Sequence, residues 1–248
     1  MLDELIIPAA DGHTRAFYFH PDKPGLYPGV LMYMDGIGIR PAMLGVAERL
    51  SQYGFAVLLP DLFYRSGRYR PMNAKTIFAT ARSRQRLFSR FFEPASPKNV
   101  MADTRHYLRT LKQLPYLAQG ALAVVGYCLG GKMALTAAGQ FGSKIAVAAS
   151  FHGGGLVTDD PLSPHRLSAK MRAMIYVGGA SADASFTDAD KKALRAAFKA
   201  HQVTHRIETY PARHGWVLPD HLAYQKAAAE RHWQTLPRLL KRGLKRQP

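Results

Sequence analysis

The chain has 248 residues, 47% of them hydrophobic and 21% charged, as suits one large globular domain able to bury a substantial core. Its single cysteine excludes an intrachain disulfide and any multi-cysteine zinc or iron–sulfur site, and no apolar run approaches the roughly 20 residues that span a bilayer. Lys and Arg number 34 against 17 Asp and Glu, a net charge of +17, but they are spread along the chain, densest at 65–70, 82–90 and 238–246, with no zinc-finger spacing and no RNP-like aromatic pattern. They read as a solvated basic surface that steers anionic substrates, and a nucleic-acid partner is not expected.

Met1 to Pro8 lacks a basic region followed by a long apolar stretch, so no signal peptide is expected and a cytoplasmic setting is the default. Residues 4–20 predict a β-hairpin, with Leu5 to Ile7 and Arg15 to Phe19 as strands and Asp11-Gly12 at the turn. Tyr27 to Asp35 is a near-continuous apolar run, as in a strand covered on both faces. A loop from Gly36 to Pro41 leads into a helix from Met43 to Tyr53, closed by Gly54, and Phe55 to Asp61 is the next buried strand. Residues 62–97 are the least regular part, with a basic helical stretch around Lys75 to Phe92; residues 98–114 form a helix ending before Pro115.

Leu122 to Val125 is a short buried strand, Gly126 to Gly131 a sharp turn, and Lys132 onward a helix to about Phe141. Strands at Lys144 to Phe151, Met171 to Val177 and Thr204 to Tyr210 follow, with a helix from Asp188 to His201 between the last two. Pro219 to Leu244 ends the chain as one long helix or two, its Lys241, Arg242, Lys245 and Arg246 forming a solvated face. Strands alternating with helices imply a mostly parallel sheet with helices on both faces, in a single domain covering 1–248.

The turn Gly126-Tyr127-Cys128-Leu129-Gly130-Gly131 lies between a strand and a helix, the setting in which G-x-S-x-G builds a nucleophile elbow, here with cysteine in the serine position. The nucleophile of such an elbow sits in strained backbone, so flanking side chains collide with the strand and helix and glycine is required. The positive end of the helix favours a thiolate or a developing oxyanion. Candidate partners follow at later strand ends: Asp183 after the Gly178-Gly179 loop, and His214 after the strand ending at Tyr210. His214 would take the thiol proton and Asp183 would hold the imidazole tautomer. Asp188 and Asp190 compete for the acid role but fall inside a helix, which Thr187 caps better than Asp183 does. The oxyanion hole is expected from the N–H groups of Leu129 and Gly36. His152-Gly153-Gly154-Gly155 imitates the HGGG motif of lipases but comes after the nucleophile, so it reads as a strand-end loop. Ile37, Tyr64, His152 and Trp216 are candidates for the substrate pocket. No metal-binding histidine pair and no G-x-G-x-x-G is present, so neither metal nor cofactor is expected.

On these residues the chain resembles the dienelactone hydrolase family, whose elbow reads G-Y-C-x-G-G. The likeness extends over nearly the whole chain, through Asp11-Gly12, Pro60-Asp61-Leu62, Gly178-Gly179 and His214-Gly215. It implies an α/β-hydrolase fold without a large lid and a Cys-His-Asp triad acting on small esters or lactones. The chain departs from the family twice. The family glutamate that contacts the resting cysteine is matched by Asp35, one methylene shorter, which makes Asp35 the candidate modulator of the thiol. The family arginine just after the histidine is absent from Trp216-Val217-Leu218-Pro219. A broad carboxylesterase and a non-catalytic hydrolase fold binding a polyanion stay open as other readings, as do monomer and dimer.

Overall fold

The computed structural model describes residues 1–245; Arg246, named above with the terminal basic face, lies outside them. Eight strands form one sheet in the order β1-β2-β4-β3-β5-β6-β7-β8. β1 (Leu2–Ala9) and β2 (Gly12–Phe19) make the expected hairpin, and β2 runs antiparallel to β4 (Ala56–Pro60). From β4 onward all neighbours are parallel: β3 (Gly29–Tyr33), β5 (Leu122–Tyr127), β6 (Ile145–Phe151), β7 (Met174–Ala182) and β8 (His205–Arg213). β3 to β6 are buried along their whole length, which is why their sequences read as continuous apolar runs instead of alternating ones.

The six helices are α1 (Pro41–Gln52), α2 (Ala81–Leu87), α3 (Pro97–Leu111), α4 (Leu129–Phe141), α5 (Asp188–Ala200) and α6 (Lys226–Leu244). α3 and α4 pack together on one face. α1 and α6 meet elsewhere, where Trp233 stacks on Tyr53 at 6.1 Å and Arg49 lies 4.4 Å over the Trp233 ring. The connection through α1 carries the chain from β3 to β4 in one direction, and the connection through α3 returns it to β5 on the other side of β3. The crossover sense reverses there, so the carboxyl ends of β3 and β5 border the crevice where open α/β sheets place their sites.

Three elements differ from expectation, each for a local reason. The basic stretch Lys75 to Phe92 is helical only from Ala81, where Thr80 and Ser83 form a capping box, and it widens to a π-turn over Phe88–Phe92. Upstream, the Asn73 side chain accepts from the Lys75 N–H and holds a turn. β7 continues through Gly178 and Gly179 to Ala182 because it stays paired with β8 as far as Arg213, and glycine suits the aromatic crowding there: a Cβ on Gly178 would lie 3.1 Å from both Phe151 and Tyr210. The last helix begins at Lys226, its first turn capped by the Gln225 side chain accepting from Ala228 N–H, not at Pro219.

Two kinds of glycine separate packing from propensity. A Cβ at Gly126 would lie 1.9 Å from the Gly130 carbonyl oxygen, and one at Gly130 would lie 2.4 Å from the carbonyl oxygens of Tyr33 and Met34, so the clash is with backbone. Gly126→Ala and Gly130→Ala should each cost about 3 kcal/mol or more in a denaturant titration, at or above the usual range for overpacking. Gly45→Ala, exposed in α1 with nothing within 4 Å of its Cβ, should gain about 0.5–1 kcal/mol in the same assay.

Candidate active site

Cys128 is the N-cap of α4 and has φ 52 and ψ −116, a left-handed conformation costly for any residue bearing a Cβ. Its N–H donates to Phe151 O and its carbonyl accepts from Gly131 N–H, so strand and helix fix it from both sides. The strain persists because Gly126, Gly130 and the end of β3 are in near backbone-to-backbone contact. The thiol therefore projects beyond the sheet at the start of α4, where the dipole stabilises negative charge.

His214 and Asp183 arrive from the ends of β8 and β7. His214 Nδ1 lies 2.7 Å from Asp183 Oδ2, with the Asp183 side chain nearly buried. Burial alone would raise the Asp183 pKa, but the hydrogen bond and charge of His214 hold it below the usual carboxylate value. Burial likewise acts to lower His214, and is outweighed first by the charge of the neighbouring Cys128 and then by Asp183, so the imidazole is pushed up to about 10. With Nδ1 occupied by Asp183, Nε2 is the nitrogen left for the sulfur and the substrate. All three sequence-predicted triad residues come together.

A fourth group was not anticipated. Ser185 Oγ donates to Asp183 Oδ1 at 2.6 Å and lies 3.3 Å from His214 Nδ1, while the Ser185 N–H donates to the same Asp183 oxygen at 2.9 Å. This is an Asx turn, and the sequence Asp183-Ala184-Ser185 carries its signal. The His152–Gly155 loop supports the triad from behind. A Cβ on Gly154 would lie 2.6 Å from Ser185 Oγ and 3.8 Å from the His214 ring, and the Gly155 N–H donates to Ser185 O at 2.8 Å. His152 is fully buried with φ 40, its ring centroid 5.4 Å from that of His214 and 4.9 Å from that of Trp216; burial keeps it well below the usual histidine pKa. Trp216, also fully buried, stacks on Tyr210 at 4.8 Å. His152 and Trp216 thus pack behind His214. Tyr64 stands apart from the triad: its hydroxyl donates to Asp103 Oδ1 at 2.8 Å and accepts from Asp11 N–H at 3.3 Å.

The loop after β3 carries the second half of the candidate oxyanion hole. The Gly36 and Leu129 N–H groups have no acceptor among the described residues, whereas the Ile37 N–H donates to Asp35 Oδ1 at 3.0 Å. A Cβ on Gly36 would lie 2.5 Å from the tip of the Phe92 ring, which would have to move to admit it. Asp35 has both carboxylate oxygens on Arg40: Nη1 to Oδ1 at 2.7 Å and Nη2 to Oδ2 at 2.9 Å. Arg40, 3% exposed, also grips Asp220 through Nε at 2.5 Å and Nη2 at 3.1 Å, and donates from Nη1 to Gly38 O at 3.1 Å. All five of its N–H groups are used, and the network ties the loop after β3 to the loop after His214. Sequence reading missed Arg40, yet a signal was present: it is the N-cap of α1, where the helix dipole disfavours a cation unless anions hold it. Next to it, His221 packs over Gly215, whose φ of 96 suits glycine. Among the described residues no group of three or more metal-ligating side chains forms, and no helix is long and apolar enough to cross a membrane.

The model of the dienelactone hydrolase family matches residues 14–244. Carboxymethylenebutenolidase 1 of Cupriavidus pinatubonensis is 26% identical over 226 residues, covering 91% of each chain. A protein of Synechocystis sp., provisionally named carboxymethylenebutenolidase, is 23% identical over 97% of this chain and 96% of its own length. A protein provisionally named dienelactone hydrolase from Klebsiella pneumoniae subsp. pneumoniae shares the fold with a TM-score of 0.84 at 20% identity, over 97% of this chain and 98% of its own.

The influence of Cys128 on His214 is directly measurable. A histidine bound more tightly to its proton in the native state contributes stability that is complete below about 6.5 and is lost as pH rises through about 10. In Cys128→Ala the largest raising influence is gone, so the His214 titration followed by NMR should move down, and the loss of stability should begin at lower pH; an unmoved titration would refute the pairing. Asp35 should act on the fold more than on the sulfur. Asp35→Asn removes one anion from a buried cation and should cost about 3–5 kcal/mol of stability, while the iodoacetamide rate at Cys128 in the folded fraction stays within about threefold, under 1 kcal/mol of activation free energy.

Proposed function

The chain belongs to the dienelactone hydrolase family, and from that premise we propose that it hydrolyses a small ester or lactone through a covalent thioester on Cys128. The observation that carries the reading is a strained cysteine at a helix N-terminus beside a histidine whose Nδ1 is held 2.7 Å from a nearly buried aspartate. In this reading His214 Nε2 takes the proton from sulfur as the thiol attacks, and Asp183 on Nδ1 stabilises the imidazolium that forms.

In the proposed reaction the sulfur attacks the carbonyl carbon, the C–S bond forms and the carbonyl electron pair moves onto oxygen. The N–H groups of Leu129 and Gly36, free of other acceptors, receive that oxyanion. Collapse breaks the C–O bond, and His214 gives its proton to the leaving alkoxide, which in a lactone stays tethered to the acyl group. His214, now neutral, takes a proton from water as the water attacks the thioester. The second tetrahedral intermediate expels the thiolate and releases the carboxylic acid. Asp183 holds the Nδ1 proton throughout, and Ser185 holds Asp183. A reduced thiol nucleophile fits a cytoplasmic setting.

The same reading bears on the acyl group. The arginine nearest the oxyanion loop has no N–H left for a substrate carboxylate, and the residues after His214 are apolar. An uncharged acyl group is therefore favoured.

Cys128→Ala should lose hydrolysis of an activated aryl ester while keeping its thermal transition, and iodoacetamide should abolish activity of the wild-type protein. His214→Ala should lower kcat on the order of 10^3-fold or more, and Ser185→Ala by less, because it acts through the aspartate. Full activity in Cys128→Ala overturns the proposal. Preference for a carboxylate-bearing ester over its neutral counterpart overturns the reading of Arg40.

A further inference from the structure

Far from the catalytic centre, a groove of about 870 Å³ opens between α3, the end of α4 and the start of β5. It begins at Leu122, the first residue of β5, whereas Cys128 lies beyond the last, so the two are about 20 Å apart at the rise of an extended strand. Five cations line it: Lys98, Arg105, Arg109 and Lys112 from α3, and Lys144 from the turn before β6. No acidic residue does. All five are exposed, and among the described residues none has an ion pair or hydrogen-bonded side-chain partner. The floor beneath them is apolar, formed by Phe141 and Leu162 with Met101 and Leu108.

This arrangement differs from a scattered basic surface in two respects. Positions 98, 105, 109 and 112 share one face of α3, so the charges converge on one concavity and repel each other at i,i+3 and i,i+4 spacing with no acid between them. The one acid on α3, Asp103, is buried on the opposite side and already holds Arg65. Volume in the range of small-molecule sites and an apolar floor add a second recognition element, one that a purely electrostatic contact with a polymer backbone does not require.

We propose that this groove binds a small oligophosphate carrying an aromatic or apolar group, of nucleoside-triphosphate size. The phosphates sit among Arg105, Arg109, Lys112 and Lys144, and the ring lies on Phe141 and Leu162. Five convergent cations call for at least three negative charges in a small space, which an oligophosphate supplies and a monocarboxylate does not. The site is independent of the thiol chemistry.

Calorimetry on the full chain, with ATP, tripolyphosphate and adenosine as probes, tests this. ATP should bind, tripolyphosphate at least about fivefold more weakly for want of the floor contact, and adenosine not measurably. Raising the salt from about 0.05 to 0.5 M should weaken ATP binding at least about tenfold. Arg105→Glu/Arg109→Glu should abolish it, and Arg105→Gln/Arg109→Gln should weaken it at least about tenfold if the charge reversal fails to fold. Lys192→Glu/Lys199→Glu, the same change in net charge on exposed positions of α5, should leave it within about twofold, and Cys128→Ala should bind ATP like wild type. Equal binding of ATP and tripolyphosphate, equal weakening by the α5 control, or binding of a single-stranded oligonucleotide with none of ATP would each overturn the proposal.

Discussion

The structure depends on a contact between backbones. Gly130, in the first turn of α4, lies so close to the carbonyl oxygens of Tyr33 and Met34 that no Cβ fits between them, and Gly126 is equally close to the Gly130 carbonyl. The contact is possible only because β3 and β5 are neighbours at the point where the chain reverses its crossover direction. Once it is made, the turn between β5 and α4 has no room to relax, and Cys128 is held at positive φ. The same contact brings the loop after β3 beside the start of α4, so the free N–H groups of Gly36 and Leu129 border one crevice. Strain at one residue and the placement of two donors have a single steric origin.

A second constraint is electrostatic. Asp35, Arg40 and Asp220 place two carboxylates on one buried guanidinium, linking the β3 loop to the segment after His214. Desolvating such a group is costly, and its net contribution to stability is smaller than its five hydrogen bonds suggest. What it gives is geometry. The loop after β3 and the loop after His214 come from opposite ends of the sequence, 180 residues apart at Arg40 and Asp220, and a planar bidentate cation fixes both their separation and their orientation. An apolar cluster of equal volume would hold the loops together without fixing that angle.

Most of the fold was legible because buried parallel strands and amphipathic helices have distinct periods. The elbow was legible because only glycine tolerates its crowding. Residue type and chain order also led to Asp183 and His214, whose side chains meet beyond the ends of β7 and β8. What stayed hidden depends on contacts between distant segments. Arg40 acquires its meaning from Asp220, which no local pattern connects to it. Gly153 and Gly154 resemble an oxyanion motif in sequence, but in space they are spacers, allowing the loop to approach Ser150, Ser185 and His214. The basic stretch before residue 92 looked helical by composition, yet a capping box at Thr80 starts its helix late. Tyr64 followed a strand end as a pocket residue should, but Asp103, on α3, takes its hydroxyl.

The two departures from the family pattern, read together, describe one rearrangement. A carboxylate shortened by one methylene ends β3, and its oxygens are both satisfied by an arginine five residues later in the same loop. The stretch just after His214 carries no arginine, and the acid Asp220 occupies that loop instead, on the same guanidinium. The positive charge thus belongs to the loop after β3, where two carboxylates neutralise it, and not to the loop after His214. The consequence reaches the sulfur. With the strand-end carboxylate engaged elsewhere, the charged neighbour of Cys128 is His214, and Cys128 is in turn the largest influence raising the His214 pKa against the opposing effect of burial. The helix N-terminus under the sulfur favours negative charge at that place, including the charge that develops on a substrate oxygen beside the Leu129 N–H.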